Sequence, residues 1–287
     1  MNNIIVGQTA GFCFGIENAV KKTQIKLDEL SGKVYSLGEI AHNKEVVNKL
    51  TNKGLIVIDD IKDVPDDIKH LIIRAHGTTK EIYQEAKEKG LELIDLTCPK
   101  VLLIHQIVEK YRLEDYYIFL TGEKDHPEVI GTISFCDNHY SLINNEDDIL
   151  LSLKAFKESN KEKALIISQT TFNLDKFKLI SEILKKELAK TKLIIESSIC
   201  DATRLRQEET KKIASEVDIM IIVGGKHSSN TTKLYEISKE YCSKVIHIET
   251  AKELNIEFDT DKKIGIMAGA STPKESVDEV IVKLKRI

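Results

Sequence analysis

The sequence predicts an α/β fold made of three similar small domains with mainly parallel sheets. Short apolar strands alternate with amphipathic helices along the chain, which is the pattern of parallel strands joined by helical crossovers. Polar clusters follow the ends of these strands, and the clusters recur three times at similar spacing. We therefore expect domains at residues 1–97, 98–196 and 197–287, in a pseudo-threefold (trefoil) arrangement that directs their loops towards the centre.

The predicted strands are short and strongly apolar, and most end in a turn rich in Gly, Ser, Thr or His. In the first domain they cover residues 4–7, 33–37, 55–58, 71–74 and 91–96. In the second domain they cover residues 116–120, 164–168 and 193–196. In the third domain they cover residues 219–223 and 264–267. Amphipathic helices are predicted after the turns, the first of them at about residues 17–30.

The repeat is defined by the spacing of its turns. Each predicted domain has an early cysteine turn, and a loop that starts with glycine follows 25, 24 and 24 residues later. A third polar turn closes each unit. The cysteine turns contain Cys13, Cys98 and Cys200. The loops that start with glycine begin at Gly38, Gly122 and Gly224. The closing turns are His76-Gly77, Thr170-Thr171 and Ser271-Thr272. Ligands of open α/β sheets bind at the carboxyl ends of the strands, so these turns hold the candidate functional residues.

Composition narrows the possible functions of the chain. Its 287 residues are 31% charged and 41% hydrophobic, which is ordinary for a globular protein. The net charge of −4 argues against a general nucleic-acid surface, although a local anion site remains possible. No apolar run is long enough for a membrane span, and the N-terminus lacks the pattern of a signal peptide. We expect a cytoplasmic protein with no nucleic-acid or membrane partner.

The five cysteines do not resemble a disulfide framework, because their number is odd and they are widely scattered. A metal ion, an iron–sulfur cluster or inert thiols remain possible. Cys13, Cys98 and Cys200 stand near helix starts, which favours the thiolate that ligation needs. Three thiolates are fewer than a structural zinc site usually has, and on a [4Fe–4S] cluster they would leave one iron without a protein ligand. Cys136 and Cys242 fall outside the repeat, and we interpret both as structural.

A second set of residues is suited to an oxyanion. His42, His76 and His126 lie at corresponding ends of strand-end loops. Hydroxyl and amide donors occur in the third unit, at Ser228, Ser229, Asn230 and Ser271. Imidazoles, hydroxyls and helix N-termini together predict a phosphate or diphosphate site.

Glu128 and Thr170 are candidates for proton chemistry. Glu128 follows His126 by two residues, and a carboxyl group in a cleft beside an anion would favour its protonated form. Thr170 could pass on a proton or orient a substrate hydroxyl. The alternatives are a glutamate placed in a first helical turn by the helix dipole and a threonine that only caps a helix.

The ordered set of motifs resembles the 4-hydroxy-3-methylbut-2-enyl diphosphate reductase family, the last enzymes of the non-mevalonate isoprenoid pathway. The resemblance covers essentially the whole chain. It rests on Gly11-Phe12-Cys13-Phe14-Gly15, Gly38-Glu39-Ile40-Ala41-His42-Asn43, Arg74-Ala75-His76-Gly77, Thr97-Cys98-Pro99, His126-Pro127-Glu128-Val129, Gln169-Thr170-Thr171, Ile199-Cys200, Ser228-Ser229-Asn230 and Ala268-Gly269-Ala270-Ser271-Thr272-Pro273.

The resemblance implies a [4Fe–4S] cluster at the centre of the trefoil, held by the three repeated cysteines, with its fourth iron open to substrate. It implies that His42, His76, His126, Ser228, Ser229, Asn230 and Ser271 bind the substrate diphosphate. Glu128 would deliver protons, with His126 and Thr170 beside it in the catalytic set. The reaction would remove the allylic hydroxyl with two electrons and two protons and yield isopentenyl and dimethylallyl diphosphate, the electrons coming from ferredoxin or flavodoxin.

Two other functions are compatible with three cysteines on an α/β repeat. A condensing dehydratase of the quinolinate synthase kind would act on carboxylates, for which we would expect more arginine in the loops. An iron–sulfur redox sensor would need neither Glu128 nor a diphosphate site. We further expect Phe12 and Phe14 to shield the cluster.

Overall fold

The computed structural model describes residues 3–30, 33–255 and 261–286 of the chain. Its strands are β1 Asn3–Val6, β2 Val34–Leu37, β3 Leu55–Ile58, β4 His70–Ile73, β5 Glu92–Asp95, β6 Tyr117–Thr121, β7 Tyr140–Ile143, β8 Lys163–Ser168, β9 Lys192–Glu196, β10 Ile219–Val223, β11 Lys244–Ile248 and β12 Lys263–Ala268. Its α-helices are α1 Phe14–Glu29, α2 Lys44–Asn52, α3 Lys80–Glu88, α4 Pro99–Leu113, α5 Pro127–Ile133, α6 Asp148–Glu158, α7 Leu174–Glu187, α8 Asp201–Glu216, α9 Ser229–Tyr241 and α10 Lys274–Leu284.

The strands form three four-stranded sheets in which every pair is parallel. The N-terminal sheet has the order β3-β2-β4-β5, the middle sheet β7-β6-β8-β9, and the C-terminal sheet β11-β10-β12-β1. Counted along the chain within each sheet, the strands lie in the order second, first, third and fourth. In the C-terminal sheet, β1 occupies the place of the fourth strand. The predicted α/β class with parallel sheets and internal repetition is confirmed.

The topology differs from the sequence prediction in two respects. The sequence pattern places the first strand in the domain of residues 1–97, but β1 pairs with β12, so residues 3–6 complete the C-terminal sheet. Strands β7 and β11 were not predicted. Both lie at sheet edges and carry half-buried residues, so neither has the strong apolar signal of a central strand. The division at residues near 97 and 196 otherwise remains a prediction.

The central strands form because both of their faces are buried under helices. In β10, Ile219, Ile221 and Val223 pack into one core cluster, while Met220 and Ile222 pack into a second cluster on the opposite face. Parallel strands covered on both faces have continuous apolar sequences, which is why β6, β8, β10 and β12 were recognised in the sequence.

The chain divides into two compact units. One contains Met1–Gln24, Glu39–Lys53 and Asp201–Ile287, including the C-terminal sheet; the other contains Ile25–Gly38 and Gly54–Cys200, including the N-terminal and middle sheets. Each is described by itself below, as the first unit and the second unit. Among the described residues, no helix combines the length and apolar character that crossing a bilayer requires.

Candidate functional site

The three repeated cysteines share one backbone arrangement. The N–H of Cys13 donates to the carbonyl of Ala270 at 3.0 Å, that of Cys98 to Ala75 at 2.9 Å, and that of Cys200 to Thr170 at 3.1 Å. Each acceptor lies two residues beyond the third strand of its own sheet, after β12, β4 and β8 respectively. In each sheet, a backbone hydrogen bond therefore joins the cysteine turn, which follows the fourth strand, to the polar turn that follows the third strand.

The five cysteines fall into two groups. All are thiols rather than disulfides, and Cys13, Cys98 and Cys200 are half-buried at strand-end turns. Cys136 is buried beside the Thr132 carbonyl, and burial raises the pKa of its thiol to about 12. Cys242 is buried among three backbone carbonyls. Thiolate ligation suits the first group, which can be reached from solvent, whereas the other two are packed as core residues.

In the second unit, Thr170 donates two hydrogen bonds to Glu128. Its backbone N–H lies 2.6 Å from one carboxylate oxygen, and its hydroxyl lies 2.7 Å from the other. Glu128 is only 1% exposed although it stands in the first turn of α5. Burial raises the pKa of its carboxyl to about 7, although both bonds from Thr170 favour the charged form. A carboxyl group with this pKa can hold and release a proton at neutral pH.

Two of the predicted histidines lie together in the second unit. The rings of His76 and His126 meet edge to face, with centroids 5.3 Å apart. His126 caps α5, because its Nδ1 accepts the backbone N–H of Glu128 at 3.2 Å. With Nδ1 accepting, the ring proton of the neutral form is on Nε2, which can then donate to an anion. The second unit thus brings together His76, His126, Glu128 and Thr170, with two of the cysteine turns.

The first unit holds the other predicted anion ligands. The hydroxyl of Ser271 lies 3.2 Å from the His42 carbonyl and 3.5 Å from the hydroxyl of Ser228. A Cβ atom on Gly225 would lie 2.4 Å from that same carbonyl, so only glycine permits this close approach. Asn230 accepts the N–H of Ala270 at 3.1 Å. The structure therefore joins His42 to the serine and asparagine loops.

The amide of Asn230 and the start of α9 present donors in this set. The amide nitrogen of Asn230 is buried, and no partner for it occurs among the described residues. Ser228 caps α9 by accepting the N–H of Thr231, and Ser229 is the first residue of the helix and buried. Buried polar groups are nearly always hydrogen-bonded, so an orphaned amide next to a helix start fits a site for an anionic ligand.

Two features differ from, or add to, the sequence interpretation. Phe14 is 76% exposed at the start of α1, which does not fit its predicted role as a shield, while Phe12 is half-buried. Arg206 and Glu209 on α8 contact the loop that leads to Cys13, and sequence reasoning missed both. Their only sequence signal is their position on the helix after Cys200, six and nine residues further along the chain.

The site combines three thiol turns, a buried glutamate and two sets of polar donors on parallel sheets. These are the features expected of an α/β enzyme that acts on an anionic substrate. The chain belongs to the LytB protein family, whose sequence model matches residues 4–285.

Known proteins similar to the chain agree with this membership. A 4-hydroxy-3-methylbut-2-enyl diphosphate reductase of Aquifex aeolicus (strain VF5) is 42% identical over 291 residues, which cover 100% of this chain and 97% of that protein. The solved E-1-hydroxy-2-methyl-but-2-enyl-4-diphosphate reductase of Plasmodium falciparum has a TM-score of 0.91 at 32% identity, over 99% of this chain and 88% of its own. A solved (E)-4-hydroxy-3-methyl-but-2-enyl diphosphate reductase, described as the terminal enzyme of the non-mevalonate pathway, has a TM-score of 0.69 at 42% identity, over 100% of both chains.

Proposed function

We propose that this protein reduces (E)-4-hydroxy-3-methylbut-2-enyl diphosphate to isopentenyl and dimethylallyl diphosphate. The allylic C–O bond breaks, two electrons and two protons enter, and the hydroxyl leaves as water. The observation that carries the proposal is the buried pair of Glu128 and Thr170, which is fastened through the Thr170 carbonyl to the Cys200 turn. Full-length similarity to reductases of this name supports the same substrate.

The cofactor we propose is a [4Fe–4S] cluster with Cys13, Cys98 and Cys200 as its ligands. Their half-buried thiols and matching turns support this choice over Cys136 and Cys242, which are packed in cores. When bound, the cluster supplies electrons and one iron that has no protein ligand.

The remaining residues bind the substrate and move protons. We assign the diphosphate to the imidazole, hydroxyl and amide donors of the two sets, namely His42, His76, His126, Ser228, Ser229, Asn230 and Ser271. Glu128 holds one proton at its carboxyl, and Thr170 orients that carboxyl through its two hydrogen bonds. His126 fixes the start of α5, and with it the position of Glu128.

We propose that ferredoxin or flavodoxin donates the electrons and that the protein works in the cytoplasm. Because each of these donors passes electrons singly, the two required electrons arrive in separate steps. The substrate binds through its diphosphate in both steps, so the anion set must hold it between them.

The assay that tests this function is anaerobic. The chain is reconstituted with iron and sulfide, and the substrate is supplied with a one-electron donor. We expect both isoprenoid diphosphates as products and one water per turnover. A protein that carries a full cluster and yet gives no product would contradict the proposal and favour a redox sensor.

A further inference from the structure

The loop that carries Cys13 is the longest of the three cysteine turns. Six residues separate Val6, the end of β1, from Cys13. Only two separate the end of β5 from Cys98, and three separate the end of β9 from Cys200. A longer loop has more conformations to lose, so the Cys13 turn needs more bonds to hold a thiol in one place.

Two side chains of α8 supply such bonds within the first unit. The carboxylate of Glu209 accepts the N–H of Gln8 at 2.7 Å and the N–H of Thr9 at 2.9 Å, and it also accepts the hydroxyl of Thr9. The guanidinium of Arg206 donates to the carbonyl of Gly11 at 2.6 Å and to the carbonyl of Ala202 at 2.9 Å. Four of these bonds end on the loop just before Cys13.

The two side chains differ in exposure, since Arg206 is buried and Glu209 is half-buried. Arg206 is 4% exposed, so its charge is desolvated and its bond to Gly11 is strong. Burial alone would raise the pKa of Glu209, but the bonds from Thr9 and Gln8 and the charge of Arg206 together hold it below its usual value. Glu209 therefore stays ionised across the neutral range and keeps all three acceptor contacts.

We infer that Arg206 and Glu209 are positioning residues that hold the Cys13 turn in its ligating conformation, and that Arg206 also places a fixed positive charge beside the first ligand. The inference rests on the proposed function, because it takes Cys13 as a cluster ligand. A positive charge near a cluster stabilises its reduced form and raises the reduction potential.

The first experiment uses the chain without a cluster, so that it reports only on the loop. Amide hydrogen exchange of residues 7–13 is compared for the wild type, Glu209→Gln and Arg206→Met. We expect each variant to speed exchange by roughly tenfold or more, the effect of losing a hydrogen bond to a charged group. Arg204→Met and Glu208→Gln are the matched controls. They break an exposed ion pair on the same helix, and each removes a charge of the same sign as the variant it is compared with.

The second experiment uses the reconstituted protein and measures iron release to a chelator and the reduction potential. We expect Glu209→Gln and Arg206→Met to release iron faster than the two control variants. Arg206→Met should also lower the reduction potential, and Arg206→Lys, which keeps the charge, should restore it. An unchanged potential in Arg206→Met would overturn the electrostatic part of the inference.

Thr9→Val tests the same contact from the loop side. It removes the hydroxyl bonded to Glu209 and leaves α8 unaltered, so it remains informative if an α8 variant fails to fold. We expect faster exchange in residues 7–13 here too, and normal exchange would overturn the inference. A wild-type chain that binds no cluster would contradict the proposed function but leave the exchange result valid.

Discussion

Thr170 binds both oxygens of the Glu128 carboxylate, through its backbone N–H at 2.6 Å and its hydroxyl at 2.7 Å. The carbonyl of the same threonine accepts the N–H of Cys200. One residue therefore fixes the orientation of a buried acid and anchors the turn of a candidate ligand. The strand-end turn after β8 therefore contacts both the carboxyl group that we propose as the proton donor and a cysteine that we propose as a cluster ligand.

Replacing Glu128 with glutamine should abolish most of the turnover. The amide keeps the shape of the side chain but has no acidic proton to deliver. General acid–base groups contribute roughly 10²–10⁴-fold to rates. Iron content and substrate affinity should stay near those of the wild type. The matched control is Glu81→Gln, another first-turn glutamate that is exposed. Normal turnover by Glu128→Gln would show that the proton comes from elsewhere.

The free energy of unfolding should depend on pH through Glu128. Its pKa is about 7 when folded and near 4.5 when unfolded, so the folded state holds the proton more tightly. The resulting stabilisation is complete below pH 4.5 and is lost as the pH rises through about 7. The shift corresponds to about 3 kcal/mol. Urea unfolding at pH 5 and pH 7.5 should show most of this difference in the wild type and much less of it in Glu128→Gln.

Thr170→Val should move the basic limb of the pH–rate profile upwards. The hydroxyl of Thr170 stabilises the charged carboxylate, so its loss raises the pKa of Glu128 further and extends the protonated form to higher pH. Thr170→Ser keeps the hydroxyl and should restore the wild-type profile. The measurement is kcat/KM between pH 6 and 9, and a limb that does not move would mean that another group titrates.

Asn230→Asp should weaken binding of the substrate diphosphate. It replaces the buried amide nitrogen, for which the described part of the chain offers no partner, by an oxygen that repels the anion. A lost hydrogen bond to a charged group corresponds to roughly 1.5–3 kcal/mol, or about ten- to a hundredfold in affinity. KM and inhibition by inorganic diphosphate provide the measurement, and Asn48→Asp, at an exposed position on α2, is the control.

Serine substitutions should separate the two groups of cysteines. We expect Cys13→Ser, Cys98→Ser and Cys200→Ser each to lose most of the iron after reconstitution, because serine is a poor ligand for an iron–sulfur cluster. Cys136→Ser and Cys242→Ser should retain it and cost only folding stability, since both thiols are buried. Iron and sulfide analysis with absorption spectra measures the outcome. A full cluster in Cys13→Ser would reject the ligand assignment.

Much of the candidate site could be predicted from the sequence because its residues lie in repeated local patterns. A strand end, a glycine turn and a helix start are encoded over about ten residues, and threefold recurrence made Cys13, His42 and their counterparts stand out. The parallel sheets followed in the same way, from apolar runs that are buried on both faces.

The sequence by itself determined the α/β class, the repeat and the identity of the polar turns, because hydrophobic pattern and turn chemistry are local. Only the tertiary structure decided that β1 completes the C-terminal sheet, since pairing of residues 3–6 with 263–266 is a contact between the two ends of the chain. It likewise decided that Glu128 is buried against Thr170, 42 residues away, and that α8 holds the Cys13 loop. Burial and long-range hydrogen bonds set pKa values and loop rigidity, and neither can be read from neighbours in sequence.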